Sequence, residues 1–456
     1  MAQHPLNFRT FAEMQEKKYS IDQILTYLKI DKLNEMQLAS IEANKEHKDV
    51  VLLSATGSGK TVAYLLPVLD LLDGGNKRTQ ALIIVPSREL AQQIEQVFKS
   101  MGTGLKITSC YGGHLRETEE NNLKQPPALL VGTPGRLCDH IRRGNITTDS
   151  ITTIVLDEFD KSLELGFEEE MSFIISSLPA VSKRILTSAT EAVEIPDFLG
   201  LRNPARINFL VEEEEGGYKR LDIKKVAADD KDKTNTLFKL ICHTGGKSTI
   251  VFCNHRESVE RTSAYLADKG IINEFYHGGM EQQERDSALC KFRNGTVDVL
   301  VTTDLAARGL DIPNIRYIVH YHLPLSEDAF IHRNGRTARM DASGTAVLIL
   351  SADETLPDYI DANTEEIIIP EEVTLPAKPK WTTLFIAAGK KDKVNKVDIV
   401  GFLSQKGELK KEDIGLIEVK DFFSFVAIRK LKASHTLQLI KEQRIKNKKV
   451  KIEVAK

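Results

Sequence analysis

Ser54-Ala55-Thr56-Gly57-Ser58-Gly59-Lys60-Thr61 stands between an apolar run of strand length (49–54) and a stretch of helical periodicity. That placement decides the fold. Glycines 57 and 59 let the backbone turn so that its N–H groups converge at a helix N-terminus, where they can face phosphate oxygens. In this geometry Thr56, Gly57, Ser58 and Gly59 form a cradle, Lys60 would reach the β- and γ-phosphates, and the Thr61 hydroxyl would ligate Mg²⁺. Ser54 holds the place where the strict pattern has glycine. The strand-then-helix setting is what separates a phosphate loop from an ordinary glycine-rich turn.

Outward from this loop, strand-like runs at 81–86, 129–133, 154–157 and 184–188 alternate with amphipathic helical patterns, which predicts a parallel α/β domain. Asp157-Glu158-Phe159-Asp160 closes one of those runs. A carboxylate at a strand end near a phosphate loop can hold Mg²⁺ through water, as Asp157 would. Glu158 would then orient or deprotonate the attacking water. A block of four glutamates (212–215) followed by Gly216-Gly217 cannot pack in a core, so 211–218 reads as a linker after a first domain over 1–210.

The alternation resumes at 223–227, 249–254, 299–304, 317–320 and 345–350, giving a second α/β domain over 219–355. It contains His332-Arg333-Asn334-Gly335-Arg336-Thr337-Ala338-Arg339. A planar guanidinium stabilises the charge that phosphoryl transfer spreads over the γ-phosphate, so Arg336 and Arg339 are candidate arginine fingers; a basic surface is the alternative. They belong to a different domain from Lys60, so hydrolysis would require the domains to close. A Pro- and Glu-rich stretch, 356–379, reads as a second linker. Residues 380–456 then read strand, helix, two strands, helix, strand, the βαββαβ order of RRM-type modules.

The 456 residues fit about three domains, and 41% hydrophobic with 28% charged residues describes a globular chain. No apolar run nears the roughly 20 residues that span a bilayer, and the N-terminus lacks the layout of a secretory signal, so a cytoplasmic protein is expected. Cys110, Cys138, Cys242, Cys253 and Cys290 are scattered without a C-x-x-C pair, which suggests neither a zinc cluster nor a disulfide framework. The net charge of -3 hides an asymmetry. Residues 377–456 carry 20 Lys+Arg against 9 Asp+Glu, a net +11, which leaves 42 against 56 for the rest, a net -14. A basic tail domain on an acidic body suggests a polyanion partner.

Taken together these segments resemble the DEAD-box helicases of helicase superfamily two, over roughly residues 11–350. The resemblance implies two tandem RecA-like parallel-sheet domains that bind ATP and RNA. It implies that Phe11 and Gln37 read adenine, with Leu33 and Asn34 standing where the family has proline and threonine. Pro86-Ser87-Arg88, Gly112-Gly113 and Thr133-Pro134-Gly135-Arg136 match its RNA-backbone contacts, pointing to Pro86, Arg88, Gly113, Thr133, Pro134 and Arg136. Ser188-Ala189-Thr190 matches the motif that couples the ATP site to RNA, through Ser188 and Thr190. His277-Gly278 with Gln282 and Arg285 matches another family element. Thr303-Asp304-Leu305-Ala306-Ala307-Arg308-Gly309-Leu310-Asp311 matches the segment touching both ligands, so Thr303 and Arg308 are expected on RNA and Asp160 and Asp311 at the nucleotide. Phe159, Ala338 and His322 depart from the family's alanine, glycine and aspartate, yet no phosphate or magnesium group is lost.

The tail resembles the DbpA-type RNA-binding domain through Gly389-Lys390-Lys391, Asp398-Ile399-Val400-Gly401 and Asp413-Ile414-Gly415. This implies an RNA helicase acting on structured, ribosomal RNA, in ribosome assembly and on pre-ribosomal particles. A monomer is expected. An ATP-gated RNA clamp without unwinding is the alternative. Lys390 and Lys391 are the expected phosphate contacts. Phe423 and Phe425 could stack on bases or fill a core, and Trp381 could be a packing anchor or a base platform.

Overall fold

The structure, a computed structural model, describes residues 20–55, 57–113, 116–190, 195–210, 221–228, 231–304, 312, 315–335 and 344–455. Phe11, Thr56, Arg308, Asp311, Arg336 and Arg339 lie outside the described residues, as does the expected linker at 211–218. Two compact units emerge: one takes the residues up to Phe209 apart from 55–58, the other takes 55–58 with Leu210 onward.

The first unit runs α1 (Ile21–Leu28), α2 (Glu35–Glu46), β1 (Asp49–Leu53), α3 (Lys60–Leu71), β2 (Ala81–Ile84), α4 (Arg88–Ser100), β3 (Ile107–Cys110), α5 (Arg116–Leu123), β4 (Leu129–Gly132), α6 (Pro134–Arg142), β5 (Thr153–Leu156), α7 (Phe159–Glu164), α8 (Glu168–Ser176), β6 (Lys183–Ser188) and β7 (Ala205–Asn208). Its strands form one parallel sheet in the order β3-β4-β2-β5-β6-β1-β7. Strands β1, β2, β4 and β5 are buried along their whole length, because helices cover both faces of a parallel sheet. Tyr64, Leu65 and Val68 of α3 and Leu90, Ile94 and Phe98 of α4 share a core with Ile83, Val131, Val155 and Ile185 of the strands. The expected strands are present, and β3 and β7 are additional. Both are edge strands, so their sequences, ITSC and ARIN, carry no continuous apolar run.

The second unit begins β8 (Leu221–Ala227), α9 (Thr234–His243), β9 (Thr249–Cys253), α10 (Arg256–Asp268), β10 (Asn273–Tyr276), α11 (Gln282–Arg293), β11 (Val299–Thr303), β12 (Tyr317–His320), α12 (Glu327–Asn334), β13 (Gly344–Leu350) and β14 (Glu365–Glu366). These strands form a second parallel sheet, β10-β11-β9-β12-β13-β8-β14. Residues 356–379, read above as a linker, pack along this domain. Glu365 and Glu366 pair with Lys224 and Lys225, and Ile367, Ile369 and Val373 lie against its core.

The chain ends in β15 (Trp381–Ile386), α13 (Lys396–Gln405), β16 (Ile414–Val419), β17 (Ser424–Arg429), α14 (Ala433–Ile440) and β18 (Ile452–Val454), the βαββαβ order expected. The antiparallel sheet β16-β17-β15-β18 packs Leu384, Ile386, Val426 and Ile428 with Ile399 and Leu403 of α13 and Ile440 of α14. Its side chains of opposite phase meet α11 and the turn after it. Asn294 Nδ2 donates to Thr383 Oγ1 at 3.1 Å, and the Thr296 and Thr383 hydroxyls lie 2.7 Å apart. Arg293 reaches Glu418 at 3.3 Å, and Lys420 reaches Asp286 and Glu418 at 3.4 Å each. Phe425 is 1% exposed and rings with Phe385 and Phe423, while Arg429 lies 4.3 Å over the Trp381 ring. Phe425 therefore fills a core, and the half-buried Trp381 ring is covered by Arg429.

Candidate nucleotide and RNA sites

In the first unit every loop of interest leaves the C-terminal end of a strand, the edge where parallel α/β sheets bind ligands. Strands β1, β6 and β5 are neighbours, and so are β2, β4 and β3, so two ligand regions lie along one edge.

At the first region, Gly57 and Gly59 adopt φ +93° and +97°, and Gly59 caps α3. The φ of Gly59 is one that residues with a Cβ rarely adopt, and a Cβ there would also meet Gln37 Nε2 at 2.6 Å. Gln37 is buried. Its Nε2 donates to Gly59 O at 3.3 Å, and its Oε1 accepts from the Asn34 N–H at 3.0 Å while Asn34 Oδ1 caps the Gln37 N–H at 2.8 Å. The asparagine that departs from the family thus still caps α2. Lys60 is buried and donates to Ser54 O, its ammonium folded over the loop.

Asp157 is buried at the end of β5. Its Oδ1 accepts from the Thr187 hydroxyl at 2.5 Å and its Oδ2 from the Tyr64 hydroxyl at 2.9 Å. Burial pushes the carboxyl above the usual carboxylate range, against the lowering influence of Thr187, Lys60 and Tyr64. Burial, with the Asp157 charge next, drives the Tyr64 phenol well above its ordinary value. A buried carboxylate held by two hydroxyls, with its charge under-compensated, fits a divalent cation, and Thr61 in the first turn of α3 supplies a further oxygen of the right kind.

Glu158 sits at φ 51°, ψ 50°, a left-handed conformation costly for a residue with a Cβ. Its N–H donates to Thr187 Oγ1 at 3.2 Å, so one hydroxyl holds both acidic residues. Thr190 Oγ1 donates to Asp160 Oδ2 at 3.2 Å, and the Ser188 hydroxyl accepts from the Thr190 N–H at 3.0 Å. Asp157, Glu158, Asp160, Ser188 and Thr190 are therefore brought together. Phe159 is buried, its larger side chain accommodated.

Along the same edge, Arg88 Nη1 donates to Gly112 O at 3.5 Å. Gly113 adopts φ +92°. Gly112, Thr133, Gly135 and Arg136 line a pocket of about 380 Å³ with Arg116, Asp139 and Phe167. Two arginines, glycine backbone and the N-terminus of α6 suit a phosphodiester. Sequence reasoning missed Thr187 and Tyr64 here; Tyr64 lies one helical turn beyond Lys60, a spacing that could have pointed to it.

In the second unit, Thr303 is buried at the end of β11. Arg333 is 1% exposed, and its guanidinium forks onto Asp304, with Nη2–Oδ2 at 2.7 Å, and reaches Asn254 Oδ1 at 2.8 Å and His322 O at 2.6 Å. It ties three loops together. His322 Nδ1 accepts from the Asn254 N–H at 3.1 Å, and burial, then Lys233, pulls its pKa down to about 4. A neutral imidazole thus accepts the bond a carboxylate could accept. In the tail domain, Lys390 and Lys391 are exposed and form no ion pair among the described residues, whereas Lys448, Lys449 and Lys451 pair with Asp392, Glu442 and Glu453.

Residues 34–198 match the DEAD/DEAH box helicase family, 232–341 the helicase conserved C-terminal domain and 383–454 the DbpA RNA-binding domain. The chain is 32% identical over 454 residues to the ATP-dependent RNA helicase DbpA of Bacillus subtilis, covering 92% of this chain and 94% of that one. The chain is a DEAD-box ATP-dependent RNA helicase of the DbpA type. The helicase is also 32% identical over 433 residues to the Escherichia coli protein of the same name, with the same coverage of each chain. Among solved structures it matches S. cerevisiae Dbp5 bound to RNA and ADP BeF3, with TM-score 0.64 and 26% identity over 72% of this chain and 87% of that one. No helix among the described residues of the helicase is long and apolar enough to cross a membrane.

Proposed function

We propose that the helicase holds ATP on the phosphate loop, Thr56 to Thr61, reads adenine with Phe11 and Gln37, and grips RNA through Pro86, Arg88, Gly113, Thr133, Pro134 and Arg136. Thr303 and Arg308 extend the RNA grip, and Asp160 and Asp311 border the nucleotide. Thr61 and Asp157 would hold Mg²⁺, which when bound neutralises charge developing on the transferred phosphoryl oxygens. Lys60 swings from Ser54 O to the β- and γ-phosphates. Glu158 positions the attacking water and takes its proton, and Arg336 and Arg339 complete the pocket once the two ATPase domains close. The bridges through Ser188 and Thr190 carry the state of the ATP site toward the RNA loops.

Closure on a bent strand separates a short duplex beside the grip. At roughly 1–2 kcal/mol per stacked step, losing a few pairs is within reach of one closure. The tail domain, through Lys390 and Lys391, tethers this motor to a chosen RNA. Its DbpA-type character favours ribosomal RNA, action on pre-ribosomal particles, and a monomer working in the cytoplasm.

The observation that carries this reading is the single Thr187 hydroxyl holding both Asp157 and Glu158 beside the phosphate loop. ATPase stimulation across a panel of structured RNAs, ribosomal fragments included, tests it. Stimulation by ribosomal fragments above the rest is expected, lost in Lys60→Ala and reduced at low RNA concentration when residues from 377 onward are deleted. Lys60→Ala hydrolysing ATP at the wild-type rate would refute the site. Strand displacement on a short duplex distinguishes this helicase from an ATP-gated clamp.

A further inference from the structure

Behind the RNA-facing pocket of the first unit lies a buried group that the helicase motifs leave unassigned. Glu119, from α5, is 1% exposed and His140, from α6, is fully buried. Glu119 Oε1 accepts from the Tyr111 N–H at 2.8 Å. Its Oε2 accepts from Arg136 Nη1 at 2.8 Å and from His140 Nε2 at 2.7 Å. On the far side of the ring, the Asn145 amide donates to His140 Nδ1 at 3.1 Å, which leaves Nε2 as the donor toward Glu119. Arg136 and His140 lie one turn apart on α6, so the same helix face carries the held cation and part of its support.

Cys110, Glu119 and His140 also place ligand atoms within 4.8 Å of one another, as a metal site would. Glu119 already has its charge partner in Arg136, and both ring nitrogens of His140 are engaged, Nε2 with Glu119 and Nδ1 with Asn145. The constellation is an anchor.

We propose that Glu119 is a positioning residue for RNA binding: clamped by His140 and the Tyr111 backbone, it fixes the Arg136 guanidinium at the mouth of the pocket formed by Gly112, Thr133 and Gly135. This rests on the reading of Arg136 as an RNA-backbone contact. Arg136 retains 16% exposure, enough to present its free edge, and one oxygen of Glu119 takes only one of its nitrogens. An arginine with several rotatable bonds loses conformational freedom when it binds a phosphate. A buried, prepaired carboxylate imposes that loss at folding, so RNA meets a side chain already aimed.

The test uses the full chain, with poly(U) as the RNA so that the motor loops are read and not the preference of the tail. Glu119→Gln should raise the half-saturating RNA concentration in the ATPase assay about tenfold, the worth of one charge-assisted hydrogen bond, with the maximal rate changing far less. Arg136→Ala should raise it at least as much and flatten the dependence of log affinity on log salt by about 0.7. In the Arg136→Ala background, Glu119→Gln should add nothing, an outcome that a merely structural role would not give. Additive effects of the two changes overturn the proposal, as does a silent Glu119→Gln beside an impaired Arg136→Ala. If Arg136→Ala itself leaves RNA dependence intact, the RNA-contact reading falls and takes the proposal with it. Should Glu119→Gln fail to fold by circular dichroism, Glu119→Asp carries the test. It keeps the charge but withdraws it from Arg136, and the same dependence on the Arg136 background decides.

Discussion

Replacing Thr187 by valine removes one hydroxyl and almost no volume. In the native structure that hydroxyl donates to Asp157 at 2.5 Å and accepts from the Glu158 N–H at 3.2 Å, in a side chain with no solvent exposure. The first bond is charge-assisted and worth about 1.5–3 kcal/mol; the second is an ordinary bond of about 1 kcal/mol whose loss strands a buried N–H. Thr187→Val should therefore lower folding stability by about 2–4 kcal/mol. The catalytic effect has a separate origin. Glu158 holds a left-handed backbone conformation that costs on the order of 1–2 kcal/mol for a residue with a side chain, and the Thr187 bond helps hold it there.

Released, Glu158 loses its aim at the water, and kcat for RNA-stimulated ATP hydrolysis should fall about 10- to 100-fold. KM for ATP should change less, because the phosphate loop is untouched. Steady-state ATPase rates at saturating RNA, read beside a thermal melt, measure both effects. Thr187→Ser, which restores the hydroxyl, should recover most of the rate. A folded Thr187→Val enzyme with wild-type kcat would show that the clamp has no part in placing Glu158.

Tyr64→Phe removes the neutral donor on Asp157 Oδ2 together with the Tyr64 bond to Thr61, so a stability loss of about 1 kcal/mol and a smaller fall in kcat are expected in the same two assays. His320 and His322 are held below their ordinary value of 6.5, chiefly by burial, His322 at about 4. The unfolded chain takes up those protons first as pH drops, so their contribution is present above about pH 6.5 and is lost as pH falls toward 4. The melting temperature should fall progressively over that window, and an unchanged melt from pH 7 to 4.5 would contradict the assignment. Lys420, held above its ordinary range by Asp286 and Glu418 against the cost of burial, bridges α11 and the tail sheet. Lys420→Met leaves those carboxylates facing each other, and should cost about 1–3 kcal/mol and speed limited proteolysis at the tail domain.

The groups legible in sequence share a property: each lies in a short run whose local context announces it. The phosphate loop follows a strand of five buried residues and opens a helix, and Asp157 and Glu158 end another such strand. Edge strands β3 and β10 escaped because one side of an edge strand needs no apolar partner, and NEFY or ITSC reads as loop. Thr187, Glu119 and His140 escaped for a different reason. Thr187 and His140 lie beside quoted motifs but outside them, and the meaning of all three comes from parallel pairing of β5 with β6 and from the bonds that join α5 to α6. Gln37 was legible only through its match to the family motif, which pointed to adenine; in this structure its amide makes the bonds of a capping box with Asn34, a local pattern the sequence reading did not use. Arg333 shows the limit of composition: three arginines in eight residues look alike, yet this one is buried under Asp304, Asn254 and His322.

The tail domain turns the same lesson toward RNA. A βαββαβ module with aromatics on its third strand invites the expectation of bases stacked on an open sheet. Here Thr383 and Glu418, on the same face as Phe425, are already bonded to α11 and its following turn through Asn294, Thr296 and Arg293, and Phe425 itself rings with Phe385 and Phe423. Stacking a base on Phe425 would first require exposing a ring that is now 1% accessible. Lys390 and Lys391 demand no such rearrangement. They stand exposed on a turn pinned by the bonds from their own N–H groups to Lys420 O and Asp421 O, at 2.9 and 2.8 Å. The Gly389 that starts this turn has no room for a side chain, since a Cβ would meet Lys420 O at 2.3 Å. Charge on a rigid turn therefore reaches a phosphate at less cost than an aromatic that must be undocked, and an RNA held there stays fixed to the domain that carries α11.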